Sequence, residues 1–252
     1  MPGADALARF EAIGLDDLVA EASLMTRVDR KYVVPRAELP AVLGHLNEQT
    51  RVLEIDGERR FGYHSVYFDT PDLLSFRMAA HPRRRRFKVR TRRYTDVGTA
   101  FLEIKTRGAR GATVKERTEY PPSAADLLTR GARTDVASAL AAVGVEPGRV
   151  TELGPILATR YRRATLLAAD AVARATVDTD LEWIEADGRA LRLPHLAIVE
   201  TKSGSAASDV DRLLWRLGHR PTSVSKYATG LAALRPELPR NRWARLLRDS
   251  FA

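Results

Sequence analysis

Charged and apolar side chains alternate along several short segments, and this alternation constrains the fold more than any other feature of the sequence. In "RRRFKVRTRRY" (84–94), Lys88 and Arg90 fall on one face of a strand and Val89 falls on the other, because successive strand side chains point in opposite directions. Two further segments of the same period follow, joined by the turn-rich stretches "TDVG" and "GARG". Joints this short between period-two runs predict an antiparallel meander.

The rest of the chain reads as an α+β domain with about eight or nine strands. Helical spacing of apolar residues predicts an N-terminal helix over 4–23 and later helices over 36–46, 209–218 and 225–234. The predicted strands are 26–35, 59–70, 84–94, 99–107, 111–120, 154–168, 172–186 and 189–204. We expect a single domain over 1–235, followed by a basic helical tail over 236–252.

The charge balance predicts a polyanionic partner. The 252 residues carry a formal net charge of +9, which attracts phosphates or acidic surfaces without choosing among them. The chain contains no cysteine, which excludes disulfides, zinc–thiolate sites and a cysteine nucleophile, and its five histidines show no metal-ligand spacing. Only six of the 41 cations are lysine, so arginine supplies most of the ordinary surface charge and each lysine becomes a candidate for a specific role.

Nothing in the sequence predicts export or membrane insertion. The N-terminus lacks a basic start and an apolar signal core. No apolar run approaches the roughly 20 residues that span a bilayer. We therefore expect a cytoplasmic protein without a transmembrane segment.

The charged strand faces have two interpretations. They are either the solvated faces of amphipathic strands or the inner wall of a closed sheet, since about eight strands can close around one slender ligand. Inward-facing cations would repel each other by roughly 4 kcal/mol per pair at 4 Å with an effective dielectric near 20. A chain of phosphates would relieve that repulsion, and the interspersed carboxylates Glu103 and Glu200 would hold a hard cation such as Mg²⁺ or Mn²⁺.

Nine short motifs together resemble the VTC domain, the polyphosphate polymerase domain of the vacuolar transporter chaperone family. In chain order they are "RKYVVP", "VYFDTPDLLSFR", "FKVRTRRY", "FLEIKTR", "TVKER", "TRYRRATL", "ARATVDTDL", "AIVETKSG" and "SVSKYATG". That family belongs to the triphosphate tunnel metalloenzymes, also called CYTH-like proteins. The resemblance implies a closed antiparallel β-barrel with flanking helices, whose bore is lined with basic residues and acidic metal ligands.

The resemblance, the charged strand faces and the helix cap together predict a set of site residues, which we divide by expected role. Residues expected to act directly in catalysis are Lys31, Arg90, Arg92, Lys105 and Lys226. Residues expected to bind substrate phosphates are Lys88, Lys115, Arg117, Arg163, Arg174, Lys202 and Ser225, where Ser225 would cap a helix whose N-terminus forms an anion site with Lys226. The expected metal ligands are Glu200 and, from its place among the cations, Glu103.

The implied activity is transfer of the γ-phosphate of ATP to a growing inorganic polyphosphate chain, with Mn²⁺ or Mg²⁺ as cofactor. The same fold would also suit an inorganic or nucleoside triphosphatase, or a polyphosphate-binding module without catalysis. Expected ligands are ATP, polyphosphate, triphosphate and pyrophosphate. We expect no nucleic acid, because the aromatic side chains that stack on single-stranded bases are sparse. The four arginines 83–86 are interpreted as surface charge that steers anions toward the site.

Overall fold

The computed structural model describes residues 6–21, 28–108, 111, 113–169 and 173–251. The strands are β1 (Glu11–Ile13), β2 (Val28–Pro35), β3 (Arg51–Leu53), β4 (Phe61–Asp69), β5 (Arg86–Tyr94), β6 (Thr99–Arg107), β7 (Thr113–Tyr120), β8 (Gly154–Leu167), β9 (Arg174–Glu185), β10 (Ala190–Leu193) and β11 (Leu196–Ser203). The helices are α1 (Leu15–Glu21), α2 (Leu39–Gly44), α3 (Leu74–Ala80), α4 (Arg130–Ala141), α5 (Gly148–Thr151), α6 (Asp209–Arg216), α7 (Lys226–Leu234) and α8 (Ala244–Ser250).

The strands form one large sheet, and together with the helices they give the protein a mixed α/β architecture. Its main path runs β2–β11–β9–β8–β4–β5–β6–β7, with β1, β3 and β10 on side branches. β11 pairs antiparallel with β2 and β9, and β5 pairs antiparallel with β4 and β6, whereas β1 and β3 run parallel. Within the described residues no ladder joins β2 to β7, the two ends of this path, so the predicted closed barrel is not confirmed.

The chain divides into two compact units. The first comprises Met1–Phe61, Tyr161–Leu181 and Leu193–Val224. Its core forms because alternate residues of β2, β9 and β11 turn apolar side chains toward α2 and α6, whose buried leucines and valines cover them. The core residues on the strands include Tyr32, Val34, Ala175, Val177, Ala197 and Val199. The charged residues of the same strands therefore lie on the opposite face.

The second unit comprises Gly62–Arg160, Glu182–Arg192 and Ser225–Ala252. Phe87, Val89, Leu102 and Ile104 from β5 and β6 form its core together with the apolar face of α4. The alternation predicted for both strands is confirmed, since these side chains are 4% exposed or less. β7 ends the path and is exposed along most of its length, as expected for an edge strand.

The predicted helix over 4–23 is confirmed only over α1 (Leu15–Glu21) and is wrong at residues 11–13. Residues 11–13 instead form β1, which pairs with β3 and buries Ile13. Only α1 is helical, and its Leu15 and Val19 are 50% and 59% exposed. The apolar spacing resembled a helix, but those residues do not share one buried face; residues 4, 5, 22 and 23 lie outside the described part.

The predicted strand over 189–204 is divided into β10 and β11. Pro194 lies at the break, where it has no backbone N–H to donate to a ladder. The carbonyl of the adjacent His195 accepts a hydrogen bond from the backbone N–H of Arg36 at 2.7 Å. This break lets β10 pair with β9 alone, while β11 pairs with both β9 and β2.

The C-terminal residues pack within the second unit. The ring of Trp243 lies 6.0 Å from that of Phe76 on α3, and the ring of Phe251 lies 5.5 Å from that of Trp183. The sequence-based division into 1–235 and a tail over 236–252 stays a prediction. None of the described helices is both long and apolar enough to cross a bilayer.

Candidate functional site

The predicted site residues lie in two clusters, one in each unit. The Glu200 cluster occupies β2, β8, β9 and β11 and contains Lys31, Arg163, Arg174, Glu200 and Lys202, together with Thr176 and Asp178 on the same face. The Glu103 cluster occupies β5, β6 and β7 and the start of α7, and contains Lys88, Arg90, Arg92, Glu103, Lys105, Lys115, Arg117, Ser225 and Lys226. Each predicted residue falls in one of the two clusters.

Two lysines share one carboxylate oxygen in the Glu200 cluster. The antiparallel pairing of β2 with β11 places Lys31 directly opposite Glu200. The Nζ atom of Lys31 is 3.6 Å from Oε1 of Glu200, and Nζ of Lys202 binds the same oxygen. Lys202 also lies 3.8 Å from a carboxylate oxygen of Asp29. Glu200 and Lys202 are two residues apart on β11, so their side chains lie on the same face of the sheet, as the alternation predicts.

A second acid of this cluster is held by arginine. Nε and Nη2 of Arg163 donate to the two oxygens of Asp178 at 2.6 and 2.8 Å, and Asp178 is fully buried. Such a bidentate pair fixes the plane of the guanidinium as well as its position. Arg174 adds another cation, because the ladder between β9 and β11 places it opposite Lys202.

The charges of the Glu200 cluster are coupled. Burial alone would raise the pKa of Glu200, but the charges of Lys31, Lys202 and Arg163 hold that pKa well below its usual range. Burial lowers the pKa of Lys202, although Glu200 and Asp29 act in the opposite direction. The carboxylate therefore stays ionised at neutral pH and anchors the cations around it.

The donor set beside Glu200 fits a divalent cation that is shared with a substrate. The buried hydroxyl of Thr176 lies opposite Glu200 in the ladder and has no hydrogen-bond partner among the described residues. Those residues include no group of three or more His, Cys, Asp or Glu side chains arranged to hold a metal. Mg²⁺ is commonly held by one or two carboxylates plus substrate phosphates, so these oxygens suit an ion that takes further ligands from a bound phosphate.

In the Glu103 cluster the cations form rows across the sheet. Lys88, Lys105 and Lys115 lie opposite one another on β5, β6 and β7, and we call them the lysine row. The next row holds Arg90, Glu103 and Arg117. Neighbouring strands are about 4.8 Å apart, and like charges directly opposite each other destabilise a sheet. Negative charge placed over the lysine row would therefore stabilise this part of the protein.

Glu103 lies in the middle of these rows and contacts three of their cations. Nε of Arg90 donates to its Oε2 at 2.7 Å, and Nζ of Lys115 lies 3.2 Å from its Oε1. Nε of Arg92 is 4.0 Å away. Burial would raise the pKa of Glu103, but these three cations lower it far below its usual range. Burial also lowers the pKa of Lys115, while Glu103 opposes that change.

Aromatic side chains on β4 and β6 contact the cations of the Glu103 cluster. The hydroxyl of Tyr67 on β4 accepts a hydrogen bond from Nη1 of Arg90 at 3.0 Å. The ring of Tyr67 lies 5.9 Å from Nζ of Lys88 and 5.7 Å from the guanidinium carbon of Arg90, within the range of cation–π attraction. Arg117 lies 3.7 Å above the ring of Phe101. These contacts restrict where the charged groups can point.

The start of α7 joins the Glu103 cluster through its cap. The hydroxyl of Ser225 accepts the N–H of Ala228 at 3.2 Å, which confirms the predicted N-cap, and it also accepts Nζ of Lys88 at 3.1 Å. Lys226 is the first residue of the helix. Its carbonyl accepts Nε1–H of Trp183 at 2.6 Å. The cap thus brings a helix N-terminus, which attracts anions, next to the lysine row.

The helix is fixed further along its length. Tyr227 donates to the buried Asp69 at 2.5 Å, and its ring stacks on that of Tyr67 at 5.2 Å. A methyl group at Gly230 would lie 2.1 Å from the ring of Trp183, so only glycine allows the helix to approach the indole this closely. The sequence stretch "SKYATG" therefore specifies both the cap and the packing of α7.

The sequence reasoning missed several residues of the two clusters. Asp178 and Thr176 share the face of Arg174, so the period-two rule alone was sufficient to include them. Arg86 and Arg107, which lie opposite each other beside the lysine row, follow the same rule. No signal in the sequence identified Tyr67, because an aromatic residue on a strand is ordinarily a core residue.

Comparisons with known proteins agree with this architecture. A family model described as "VTC domain" matches residues 26–235. Among solved structures, the putative adenylyl cyclase HpAC1 from Hippeastrum, reported to have a dominant triphosphatase activity, is 15% identical with a TM-score of 0.50, covering 82% of this chain and 96% of that chain. This likeness shows the fold. No curated protein matches the chain.

Two archaeal structures are more distant. The PH1012 protein from Pyrococcus horikoshii OT3 is 11% identical with a TM-score of 0.40, and a conserved hypothetical protein from Pyrococcus furiosus is 12% identical with a TM-score of 0.39. Each match covers 77% of this chain and 88% of the other.

Proposed function

Because the chain belongs to the VTC-domain family, we propose that it is a polyphosphate polymerase, which transfers the γ-phosphate of ATP to the end of a growing inorganic polyphosphate chain. The observation that carries this proposal is the lysine row flanked by Arg90 and Arg117. A linear polyanion supplies negative charge at regular intervals, which is what these opposed cations require. An isolated phosphate would neutralise only part of the row.

The proposed reaction needs no dedicated base. An oxygen of the terminal phosphate of the chain attacks the γ-phosphorus of ATP, the bond to the β-phosphate oxygen breaks, and ADP leaves with the bonding electrons. The attacking oxygen is already anionic near neutral pH, since the second pKa of a phosphate is about 6. Catalysis then depends on alignment and on stabilisation of the transferring charge.

The residues of the Glu103 cluster suit these two tasks. In this proposal Arg90, Lys115 and Lys226 bind phosphate oxygens, and the fixed orientation of Arg90 restricts where the transferring group can lie. We assign Glu103 to positioning rather than to metal binding, because its oxygens already accept Arg90 and contact Lys115. Glu103 then acts through the cations that it holds.

The Glu200 cluster supplies the proposed metal position. Glu200 and the Thr176 hydroxyl would hold Mn²⁺ or Mg²⁺ together with oxygens of a phosphate bound in the first unit. When bound, the metal would neutralise negative charge on the phosphates. Lys31, Lys202 and Arg163 would bind further phosphate oxygens and keep Glu200 ionised.

A product assay tests the proposal. The protein is incubated with ATP and Mn²⁺ or Mg²⁺, and the products are separated by length on a polyacrylamide gel. We expect chains of more than three phosphates, and we expect Arg90→Ala and Lys226→Ala each to reduce their synthesis by about 10²–10³-fold, the effect of removing one charge-stabilising donor. The matched control is Arg216→Ala, an exposed arginine outside both clusters.

The outcomes separate the three activities of this fold. Release of ADP and free phosphate from ATP, without chains of more than three phosphates, would contradict the polymerase and identify a triphosphatase. Binding of polyphosphate without turnover of ATP would contradict both enzymes and identify a binding module. Equal losses in Arg90→Ala and Arg216→Ala would contradict the assignment of the Glu103 cluster.

A further inference from the structure

A cavity rich in arginine lies in the second unit at the start of β5. It has a volume of about 630 Å³ and is lined by Leu74, Arg77, Met78, His81, Arg83, Arg84 and Arg85. We call it the arginine cavity. Leu74 and Met78 come from α3, and the three consecutive arginines come from the segment that joins α3 to β5. None of these residues belongs to the Glu103 cluster.

Arg83, Arg84 and Arg85 place three positive charges next to one another in the lining of the cavity. Within the described part of the chain, no carboxylate forms an ion pair with Arg83, Arg84 or Arg85, and all three are exposed. Arg149 of the same unit, in contrast, binds both Asp72 and Glu152. Uncompensated guanidinium groups on adjacent residues repel one another, so an anion over the cavity is favoured.

Positively charged side chains continue from the arginine cavity toward the lysine row. Arg86 follows the arginine cavity in sequence and lies opposite Arg107, one row from Lys88. Burial and the positive charges of Arg107 and Arg242 lower the pKa of Arg86. Arg242 is held nearby, because its Nη1 donates to the carbonyl of Ala79 at 2.7 Å. Cations thus extend from the lysine row to the arginine cavity.

We propose that the arginine cavity is a second binding site for a linear phosphate chain, and that it holds a segment of the chain away from the reacting end. The identity of the ligand rests on the proposed function. A nucleic acid is disfavoured because the described lining of the cavity includes no Phe, Tyr or Trp side chain to stack on a base. A membrane surface is disfavoured because no large apolar side chain of the lining is among the exposed ones.

A binding experiment without nucleotide tests the site. The full chain and the variant R83Q/R84Q/R85Q are titrated with long-chain sodium polyphosphate and, separately, with tripolyphosphate. We expect the variant to bind the long chain at least tenfold more weakly, with a salt dependence shallower by about two in log–log slope as phosphate contacts are lost. Tripolyphosphate is too short to occupy both places, so we expect its affinity to change by less than about twofold.

A matched variant controls for net charge. R130Q/R216Q/R220Q removes three exposed arginines that do not line the cavity, and both variants are checked for folding by thermal melting. Equal weakening in the two variants, or no weakening in R83Q/R84Q/R85Q, would overturn the proposal. A larger loss for single-stranded DNA or for phosphatidylglycerol vesicles than for polyphosphate would also overturn it. Since the assay contains no ATP, it can succeed even if the protein makes no polyphosphate.

Discussion

Glu103 is surrounded by Arg90, Arg92 and Lys115 and is almost fully buried. Glu103→Gln would leave these cations without their counterion, and breaking a buried ion pair typically costs about 3–5 kcal/mol. We expect a lower melting temperature for the variant. We also expect tripolyphosphate to raise that temperature more in Glu103→Gln than in the parent protein, because the ligand replaces the lost negative charge.

The matched control for this substitution is Glu119→Gln. Glu119 points to the same face of the sheet from β7 but is exposed. Its replacement removes the same charge at little cost in stability, since exposed ion pairs contribute about 0–1 kcal/mol. If Glu119→Gln and Glu103→Gln melted at the same temperature, Glu103 would have no special role in holding the cations.

The acid stability of the protein should depend on the same carboxylates. The folded-state pKa of both Glu103 and Glu200 is lowered relative to the usual value of 4.5. A group with a lowered folded-state pKa stabilises the fold fully above its unfolded pKa and loses that contribution as the pH falls toward its folded pKa. The difference in unfolding free energy between the parent and Glu103→Gln should therefore shrink below about pH 4.5.

Urea unfolding at pH 7, 5, 4 and 3 measures this difference. A gap that stays constant over the whole range would show that the lost stability of Glu103→Gln comes from packing and not from the ionised carboxylate. The pKa of Glu200 is lowered as well. The difference in unfolding free energy between the parent protein and Glu200→Gln should therefore also shrink at low pH.

At the scale of elements, α7 connects a helix cap to the lysine row through Ser225. Ser225→Ala removes the acceptor for the N–H of Ala228 and for Nζ of Lys88. Loss of an N-cap costs about 1 kcal/mol, which lowers the melting temperature of a protein of this size by about 2–4 °C. We also expect tripolyphosphate to bind several-fold more weakly, because Lys88 loses one of the contacts that direct it.

Thr129→Ala provides the comparison, since Thr129 caps α4 in the same way and accepts the N–H of Ala132 at 3.2 Å. It should have a similar effect on the melting temperature and no effect on tripolyphosphate affinity. Equal affinities for Ser225→Ala and Thr129→Ala would show that the Ser225 hydroxyl acts only as a helix cap.

Element faces could be predicted from the sequence where one side of a strand is buried. The period-two pattern assigned Lys88, Arg90 and Glu200 to charged faces correctly, because the alternate residues of those strands form the two cores. Helical spacing, in contrast, predicted a helix at residues 11–13, where the chain forms a strand. There β1 is formed by pairing with the distant β3, and no local pattern encodes a partner 40 residues away.

At the scale of the whole molecule, the cationic rows make stability depend on bound anions. A ligand at 100 times its Kd adds about 2.7 kcal/mol to the folded state. Tripolyphosphate should therefore raise the melting temperature well above the value reached with duplex DNA at the same phosphate concentration. An equal or larger rise with DNA would contradict a site selective for phosphate chains.

The family could be predicted from short motifs in the right order, whereas closure of the sheet could not. Ladders between neighbouring strands follow from turn lengths and alternation, as in β5, β6 and β7. Whether the first and last strands of a path meet depends on the twist and stagger summed over every strand between them. No single segment of the sequence specifies that sum.

Trp183, which packs against Gly230, can serve as an intrinsic fluorescence probe. The indole N–H of Trp183 is bonded to the carbonyl of Lys226, so the fluorophore is attached to the first turn of α7. Any event that shifts this turn alters the hydrogen bond and the surroundings of the indole ring together. With Trp215 and Trp243 replaced by phenylalanine, the emission wavelength of the remaining tryptophan would follow the occupancy of the proposed phosphate position beside Lys226 in real time, without a label.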